Sequence, residues 1–192
     1  ISRLLDITEK NVKVCADQLD KKIQFEVEAN PSLMVDSAIL QVLESLFGHL
    51  VRNSIDHGIE SAVERLQKDK PAAGELFLKV EISKGETERD DNLSITFQDD
   101  GGGINFPGLR KKVASLNLLD SVTVNSMPDD QLIEYIFIDA VSTKEETTIF
   151  SGRGVGLALI KKTITDLNGS IKVETGLWGT RFHILIPRYF MV

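Results

Sequence analysis

Apolar residues along the chain follow two different spacings, and each spacing predicts one type of element. Between Ser37 and Ile59 they recur every three or four positions, which is typical of a helix with one buried face. Between Leu93 and Phe97 they alternate with polar residues, which is typical of a strand with one buried face. The pattern therefore predicts a fold that contains both helices and strands.

The same spacings assign the rest of the chain. Helices are predicted at about 2–21, 37–54, 59–68, 107–117, 129–137 and 154–168. Strands are predicted at about 23–27, 33–35, 75–83, 93–98, 170–174 and 180–186. A polar stretch at 139–153 is typical of a mobile lid over a binding site.

Composition narrows the class of protein. The 192 residues carry a net charge of −7, which argues against a nucleic-acid partner because phosphates attract basic surfaces. The single cysteine, Cys15, cannot form an internal disulfide, and no apolar run approaches the ~20 residues of a membrane-spanning helix. We therefore expect a cytoplasmic protein.

A glycine-rich run precedes the last predicted helix. Residues 151–156 read Ser-Gly-Arg-Gly-Val-Gly and lead directly into the apolar Leu157. Free backbone N–H groups at a helix N-terminus suit phosphate oxygens, both as hydrogen-bond donors and through the helix dipole. Alone, the run is equally typical of a tight turn.

Polar residues crowd the end of the helix predicted at 37–54. His49, Asn53 and either Asp56 or His57 lie three or four positions apart, so they share one helix face and could contact a single ligand or metal ion. A solvated helix face remains the alternative for any one of them. Their crowding within nine positions favours a site.

Asp99 ends a predicted strand and is followed by Gly101 and Gly103. A carboxylate at this place could accept a hydrogen bond from the exocyclic amine of adenine, while the glycines allow a ligand close to the backbone. Asp-Gly is also a hairpin signal. The apolar spacing of Leu109 and Val113 favours a helix after it instead.

Five motifs in this order resemble the ATP-binding catalytic domain of histidine kinases, within the superfamily that also holds gyrase, Hsp90 and MutL-type ATPases. They are an N box at 49–60, a D-x-G-x-G box at 99–104, an F box formed by Phe137 with Ser142 and Thr143, a second glycine box at 151–156 and a last box at 179–182. The Asp-His-Gly-Ile-Glu extension at 56–60 is similar to CheA-type chemotaxis kinases in particular.

The resemblance implies an α+β fold, a two-layer α/β sandwich of the Bergerat type. Its mixed five-stranded sheet would carry three main helices on one face, together with a mobile ATP lid. Residues 1–22 would form an N-terminal helix leading from an upstream domain, and residues 23–192 would form the catalytic domain.

The resemblance also implies a set of site residues. Those expected to bind ATP are Arg52, Asn53, Asp56, His57, Asp99, Gly101, Gly103, Ile104, Phe137, Ser142, Thr143, Ser151, Gly152, Arg153, Gly154, Val155, Gly156, Leu157 and Thr180. His49 and Asn53 would hold Mg²⁺, and these two with Lys112 would act in phosphoryl transfer.

The residue four before the N-box asparagine decides the expected reaction. Hydrolysing and serine-phosphorylating members of the superfamily carry glutamate there, whereas this chain carries His49. A neutral acceptor histidine is already a nucleophile and needs less help from a base, so His49 favours histidine phosphorylation. The expected partners are a histidine-containing phosphotransfer or dimerisation domain and a downstream response regulator, with a dimeric parent protein.

The lid departs from the family pattern. Pro-Gly usually separates the F-box phenylalanine from Ser-Thr, but here residues 138–141 read Ile-Asp-Ala-Val. A degenerate nucleotide-binding or scaffold module with little kinase activity is therefore the main alternative, and an ATP-hydrolysing clamp is the third. The lysine that often follows the D-x-G-x-G box in CheA-type chains is also missing, which leaves Lys112 as the phosphate candidate.

Overall fold

The structure, a computed structural model, describes residues 1–85, 91–138, 141 and 156–187. The chain forms two compact units. The first unit comprises Ile1–Ile104 and the chain from Ile164 onward, and the second comprises Asn105–Thr163. No helix among the described residues is both long and apolar enough to span a bilayer.

The first unit holds the sheet and the longest helices. Its helices are α1 (Ser2–Gln18), α2 (Ser37–Asn53) and α3 (Ala62–Gln67), and a π-helical turn (Ser54–Gly58) follows α2 directly. Its strands are β1 (Ile23–Ala29), β2 (Gly74–Ser83), β3 (Asn92–Asp99), β4 (Ser170–Gly176) and β5 (Gly179–Pro187).

The five strands form one mixed sheet in the order β1-β2-β3-β5-β4. β1 runs parallel to β2, and the other neighbouring pairs are antiparallel. The register places Asp99, the last residue of β3, opposite Thr180 of β5 and Leu76 of β2. The predicted α+β fold with a mixed five-stranded sheet is confirmed.

The apolar residues that follow helical spacing in α2 and alternation in β3 are buried in the core, as the sequence predicts. α2 begins where the side chain of Asp36 accepts a hydrogen bond from the N–H of Ala38 at 2.7 Å, a common helix N-cap. The buried apolar residues of α2 and β3 are Ile39, Leu43, Leu46, Phe47, Leu50, Val51, Leu93, Ile95 and Phe97. α1 packs against α2.

The second unit is built from shorter helices. They are α4 (Phe106–Ser115), α5 (Ser121–Ser126), α6 (Asp129–Leu132) with the 3₁₀ turn Ile133–Phe137, and α7 (Leu157–Asp166), whose last residues belong to the first unit. The guanidinium of Arg110 on α4 joins α5 and α6 to this helix, since it donates to the carbonyl of Val124 and to the carboxylate of Asp129.

Several predicted elements were wrong in detail. Leu33–Val35 do not form a strand, since Pro31 and Ser32 form a turn and the following residues lead without regular structure to α2. The helix expected from 59 begins only at Ala62, where Ser61 and Glu64 form a capping box. α5 was missed, because six polar and β-branched residues carry little helical signal. The expected division at residues 22 and 23 stays a prediction.

Candidate functional site

Asp99 lies at the centre of the candidate site, where β3 ends, and only 3% of its surface is exposed. One carboxylate oxygen accepts hydrogen bonds from the backbone N–H of Gly101 at 3.0 Å and of Thr180 at 3.2 Å. The other accepts from the hydroxyl of Ser54 at 2.7 Å. An ionised carboxylate offers about four acceptor positions, so these three donors leave room for one more.

The surroundings of Asp99 act on its ionisation in opposite directions. Burial raises the pKa of Asp99, and the nearby charge of Asp100 adds to this rise. The hydrogen bonds from Ser54, Gly101 and Thr180 lower the pKa because they favour the ionised form, but they do not cancel the effect of burial. A donor from a ligand would stabilise the carboxylate further.

Two motif glycines allow the backbone to come close at this place. A Cβ at Gly101 would lie 2.1 Å from the carbonyl oxygen of Gly58, which is too close for any side chain. Gly103 has a φ of 74°, and a Cβ there would lie 2.4 Å from the carbonyl oxygen of Gly176. Both positions therefore require glycine for steric reasons alone. The sequence expectation had assigned them to close approach of a ligand.

Ile104, which follows Gly103, is hydrogen-bonded to the β4–β5 hairpin. The backbone N–H of Ile104 donates to the hydroxyl of Thr175 at 2.9 Å. That hydroxyl in turn donates to the carbonyl of Gly179 at 3.1 Å and lies 3.4 Å from the hydroxyl of Thr180. The D-x-G-x-G box and the last box, which the sequence could only place separately, thus meet through hydrogen bonds.

The N box does not continue as a regular α-helix. After Asn53 the chain enters a π-helical turn, in which the N–H of Ile59 donates to the carbonyl of Ser54 at 2.7 Å. π-turns of this kind occur frequently at functional sites. Asp56 and His57 both lie in the turn, and their side chains pair with each other at 3.4 Å. Apolar periodicity gave no signal for this change of helix type.

His49 and Asn53 occupy α2, four positions apart, as predicted. Burial lowers the pKa of His49, and the nearby charge of Arg52 lowers it further, so the imidazole is neutral at pH 7. Asn53 is exposed. Among the described residues no group of three His, Cys, Asp or Glu residues could hold a metal ion. A metal here would therefore take one imidazole nitrogen and one amide oxygen, with its other ligands from elsewhere.

Sequence reasoning missed a buried charged cluster next to Asp99. Arg65 has no exposed surface, and its guanidinium holds both carboxylate oxygens of Asp100, at 3.0 and 2.5 Å. It also donates to the carbonyl of Pro71 at 2.7 Å. The ammonium of Lys70 donates to the carbonyls of Asp100 and Gly101, at 2.8 and 2.9 Å. The two cations fix the backbone that follows Asp99.

Glu60, the last residue of the CheA-like extension, completes the cluster. Its carboxylate accepts from Lys68 at 2.9 Å and from Lys70 at 3.2 Å, and it lies 3.4 Å from Arg65. Burial alone would raise the pKa of Glu60, but the hydrogen bonds from Lys68, from its own backbone and from Lys70 hold it at about 2. No spacing rule links Glu60 to Arg65 and Asp100, because they meet only through the fold.

The remaining predicted residues lie elsewhere in the structure or outside it. Lys112 lies on α4, Phe137 ends the 3₁₀ turn, Gly156 directly precedes α7 and Leu157 begins it, all within the second unit. The ammonium of Lys161 lies 4.5 Å above the ring of Phe137. The predicted residues outside the described part of the chain are Ser142, Thr143, Ser151, Gly152, Arg153, Gly154 and Val155.

Comparison with known proteins gives the context for this site. The chain is 34% identical over 177 residues to the chemotaxis protein CheA of Halobacterium salinarum, which covers 92% of this chain and 25% of that protein. It is 33% identical over 171 residues to CheA of Bacillus subtilis, which covers 88% of this chain and 24% of that protein. The chain thus spans about a quarter of the length of the curated relatives it matches.

A solved structure supports the fold independently. The catalytic domain of histidine kinase ThkA superposes with a TM-score of 0.53 at 18% identity, over 97% of this chain and 91% of that one. Residues 40–189 match the family described as histidine kinase-, DNA gyrase B-, and HSP90-like ATPase. This match includes α2 from residue 40 onward, the π-turn and Asp99 with its glycines. The chain therefore belongs to the family of histidine kinase-, DNA gyrase B- and HSP90-like ATPases.

Proposed function

We propose that the chain is the ATP-binding catalytic domain of a CheA-like histidine kinase. It would bind Mg-ATP and transfer the γ-phosphate to a histidine on a separate domain for two-component signalling. The CheA relatives support the kinase class, and the family match supports ATP as the ligand. The expected response regulator, the dimeric parent and the cytoplasmic location belong to the same proposal.

The buried carboxylate of Asp99 is the observation that carries the proposal. It lies at a strand end, three donors orient it, and it keeps acceptor capacity for a further donor. The exocyclic amine of adenine is a donor of the right kind. A charge-assisted hydrogen bond in a water-poor environment discriminates against bases that present an acceptor at this place.

The N box would bind the phosphates of ATP through Mg²⁺. His49 offers a neutral imidazole nitrogen and Asn53 an amide oxygen, and these are the two donor atoms that would hold Mg²⁺ beside phosphate oxygens. When bound, the ion would offset negative charge on the phosphates. Lys112 and the glycine run at 151–156 are proposed to contact the phosphates as well.

His49 also supports phosphoryl transfer to an acceptor histidine rather than ATP hydrolysis. A general base for water needs to accept a proton near pH 7, and glutamate has that role in the hydrolysing members that the sequence resembles. In this chain His49 stands in place of that glutamate, and an imidazole nitrogen that binds Mg²⁺ cannot at the same time accept a proton from water. A neutral histidine acceptor on another domain needs no such base, because its imidazole nitrogen is nucleophilic as it stands.

Two measurements test the proposal. Isothermal titration with a non-hydrolysable ATP analogue, with and without Mg²⁺, measures nucleotide binding. Incubation with γ-labelled ATP, alone and with a histidine-containing phosphotransfer domain supplied in trans, measures transfer. We expect label that is stable to base and labile to acid, and only when the acceptor domain is present. Labelling should be slow, because an untethered acceptor lacks the ~mM effective concentration of a linked one.

Other results would replace the proposal. Absence of nucleotide binding under every condition would favour a scaffold module, the alternative suggested by the altered lid sequence. Rapid phosphate release by the chain alone would favour an ATP-hydrolysing clamp. Label that survives acid and is lost in base would indicate a serine acceptor.

A further inference from the structure

The side chain of Lys21 contacts the N box in a way that the motifs do not foresee. Its ammonium donates to three backbone carbonyls, those of Ile55 at 2.6 Å, Asp56 at 3.2 Å and Ile59 at 2.7 Å. An ammonium group has three N–H donors, so this contact uses all of them. The three acceptors belong to the π-turn and to the residue that closes it.

The backbone fixes position 21 from both sides. α1 ends in a left-handed turn at Asp20, with a φ of 48°, and the N–H of Lys21 donates back to the carbonyl of Ala16 at 3.0 Å. The next carbonyl, that of Lys22, accepts from the N–H of Gly74 at 2.9 Å where β1 and β2 begin. Lys21 therefore reaches the π-turn from a rigid junction.

The π-turn needs such a donor. The last carbonyls of a helix have no N–H partner within the helix, and the helix dipole makes this end negative. The bond from the N–H of Ile59 to the carbonyl of Ser54 satisfies one of them. The ammonium of Lys21 satisfies the carbonyls of Ile55 and Asp56 and brings a positive charge to the negative end.

Both ends of the π-turn contact Asp99 or the residues that follow it. Its first residue, Ser54, donates to the carboxylate, and its last, Gly58, accepts from the N–H of Gly102 at 2.9 Å. Gly58 also lies so close that a Cβ there would be 3.3 Å from the carboxylate of Asp99. A change in the turn would therefore move the groups that orient Asp99.

We propose that Lys21 is a positioning residue, which keeps the end of the N box in its π-turn and thereby sets the orientation of Asp99. Without it, three carbonyls would lose a charged donor, and the turn would open more often to solvent. Lys21 itself touches no nucleotide in this proposal. Its effect on nucleotide affinity rests on the proposed function, whereas its effect on the turn does not.

The test compares Lys21→Met with Lys22→Met, its neighbour on the exposed side of the same junction. Hydrogen exchange of the Ile59 amide, followed by NMR without nucleotide, reports on the π-turn. We expect it to be about tenfold faster or more in Lys21→Met and unchanged in Lys22→Met, because a hydrogen bond to a charged group is stronger than an average one. Lys21→Arg keeps the charge and should restore part of the protection.

Nucleotide affinity gives the second readout. Lys21→Met should bind the ATP analogue about tenfold more weakly, measured at a temperature where its circular dichroism matches that of the parent, while Lys22→Met binds as the parent does. Equal Ile59 exchange in both variants and the parent would overturn the proposal. If the parent chain binds no nucleotide, the proposed function fails and the exchange experiment alone decides on Lys21. If Lys21→Met does not fold, Lys21→Gln takes its place with the same criterion.

Discussion

The hydroxyl of Ser54 donates a 2.7 Å hydrogen bond to the buried carboxylate of Asp99 and so joins the end of the N box to the end of β3. The two residues are 45 positions apart in the chain. The bond brings two separately recognised motifs to one group. The bond also orients the carboxylate of Asp99 before a ligand binds, which reduces the conformational entropy that is lost on binding.

Asp99→Asn should weaken ATP binding by about ten- to a hundredfold, the equivalent of one hydrogen bond to a charged group. The N–H groups of Gly101 and Thr180 both point at one oxygen, so they will keep the amide oxygen there. The amide nitrogen then replaces the other oxygen, and an acceptor becomes a donor. Titration calorimetry measures the affinity, with the exposed Asp17→Asn as control. Unchanged affinity would show that Asp99 does not face adenine.

Nucleotide affinity should depend on pH through Asp99. Because burial raises the pKa of Asp99, the folded protein binds more protons than the unfolded chain between the ordinary and the raised value. Ionisation of Asp99 therefore lowers stability as pH rises through that interval. Nucleotide favours the ionised form, so affinity should fall as pH drops through the same interval, with proton release on binding. Asp99→Asn should lack both effects, and a parent that matches it at every pH would contradict this assignment.

Gly101→Ala and Gly102→Ala form a matched pair. A Cβ at Gly101 would lie 2.1 Å from the carbonyl oxygen of Gly58, whereas the nearest atom to a Cβ at Gly102 is a Glu60 oxygen at 3.6 Å. Gly101→Ala should lower the free energy of unfolding by about 1–3 kcal/mol and abolish nucleotide binding. Gly102→Ala should change stability by less than about 1 kcal/mol. Denaturant unfolding checks both, and similar losses in the two variants would refute the steric explanation.

Glu60 should stabilise the fold at neutral pH through its cluster of cations. Its pKa of about 2 in the folded protein lies below its unfolded value, so its contribution is present above about pH 4.3 and is lost as pH falls towards 2. Glu60→Gln should reduce the free energy of unfolding by about 1–3 kcal/mol at pH 7 and by much less near pH 2. Unfolding curves at several pH values measure this. The exposed Glu9→Gln serves as control, and a constant difference over the whole range would disprove the ionic origin.

His49→Ala and Asn53→Asp address the metal. If both side chains hold Mg²⁺, His49→Ala should abolish the increase in nucleotide affinity that Mg²⁺ gives the parent. Asn53→Asp should alter that increase, because a carboxylate replaces the amide oxygen and adds a charge. Both variants should stop phosphoryl transfer to an added acceptor domain. Affinity measured with Mg²⁺ and with EDTA separates metal binding from nucleotide binding. A metal dependence identical to the parent in both variants would exclude these two residues as ligands.

The sequence by itself determined the class of fold and most of its elements. Helical spacing predicted the buried face that contains Ile39, Leu43 and Leu50, and alternation predicted the buried face that contains Leu93 and Phe97. The structure buries all five residues. The motifs also located Asp99 at a strand end. Such features are local, because helix and strand periodicity are set by the backbone geometry of consecutive residues.

Only the tertiary structure decided how the motifs meet. The contacts of Ser54 and Thr180 with Asp99, the burial of Arg65 and the reach of Lys21 to the π-turn all join residues that are distant in sequence. From the sequence alone, a charged residue is predicted to be exposed, because burial of a charge is tolerated only when the fold supplies its partners. The π-turn could not be predicted for the same reason, because the donor to its carbonyls is Lys21, which lies in the connection between α1 and β1.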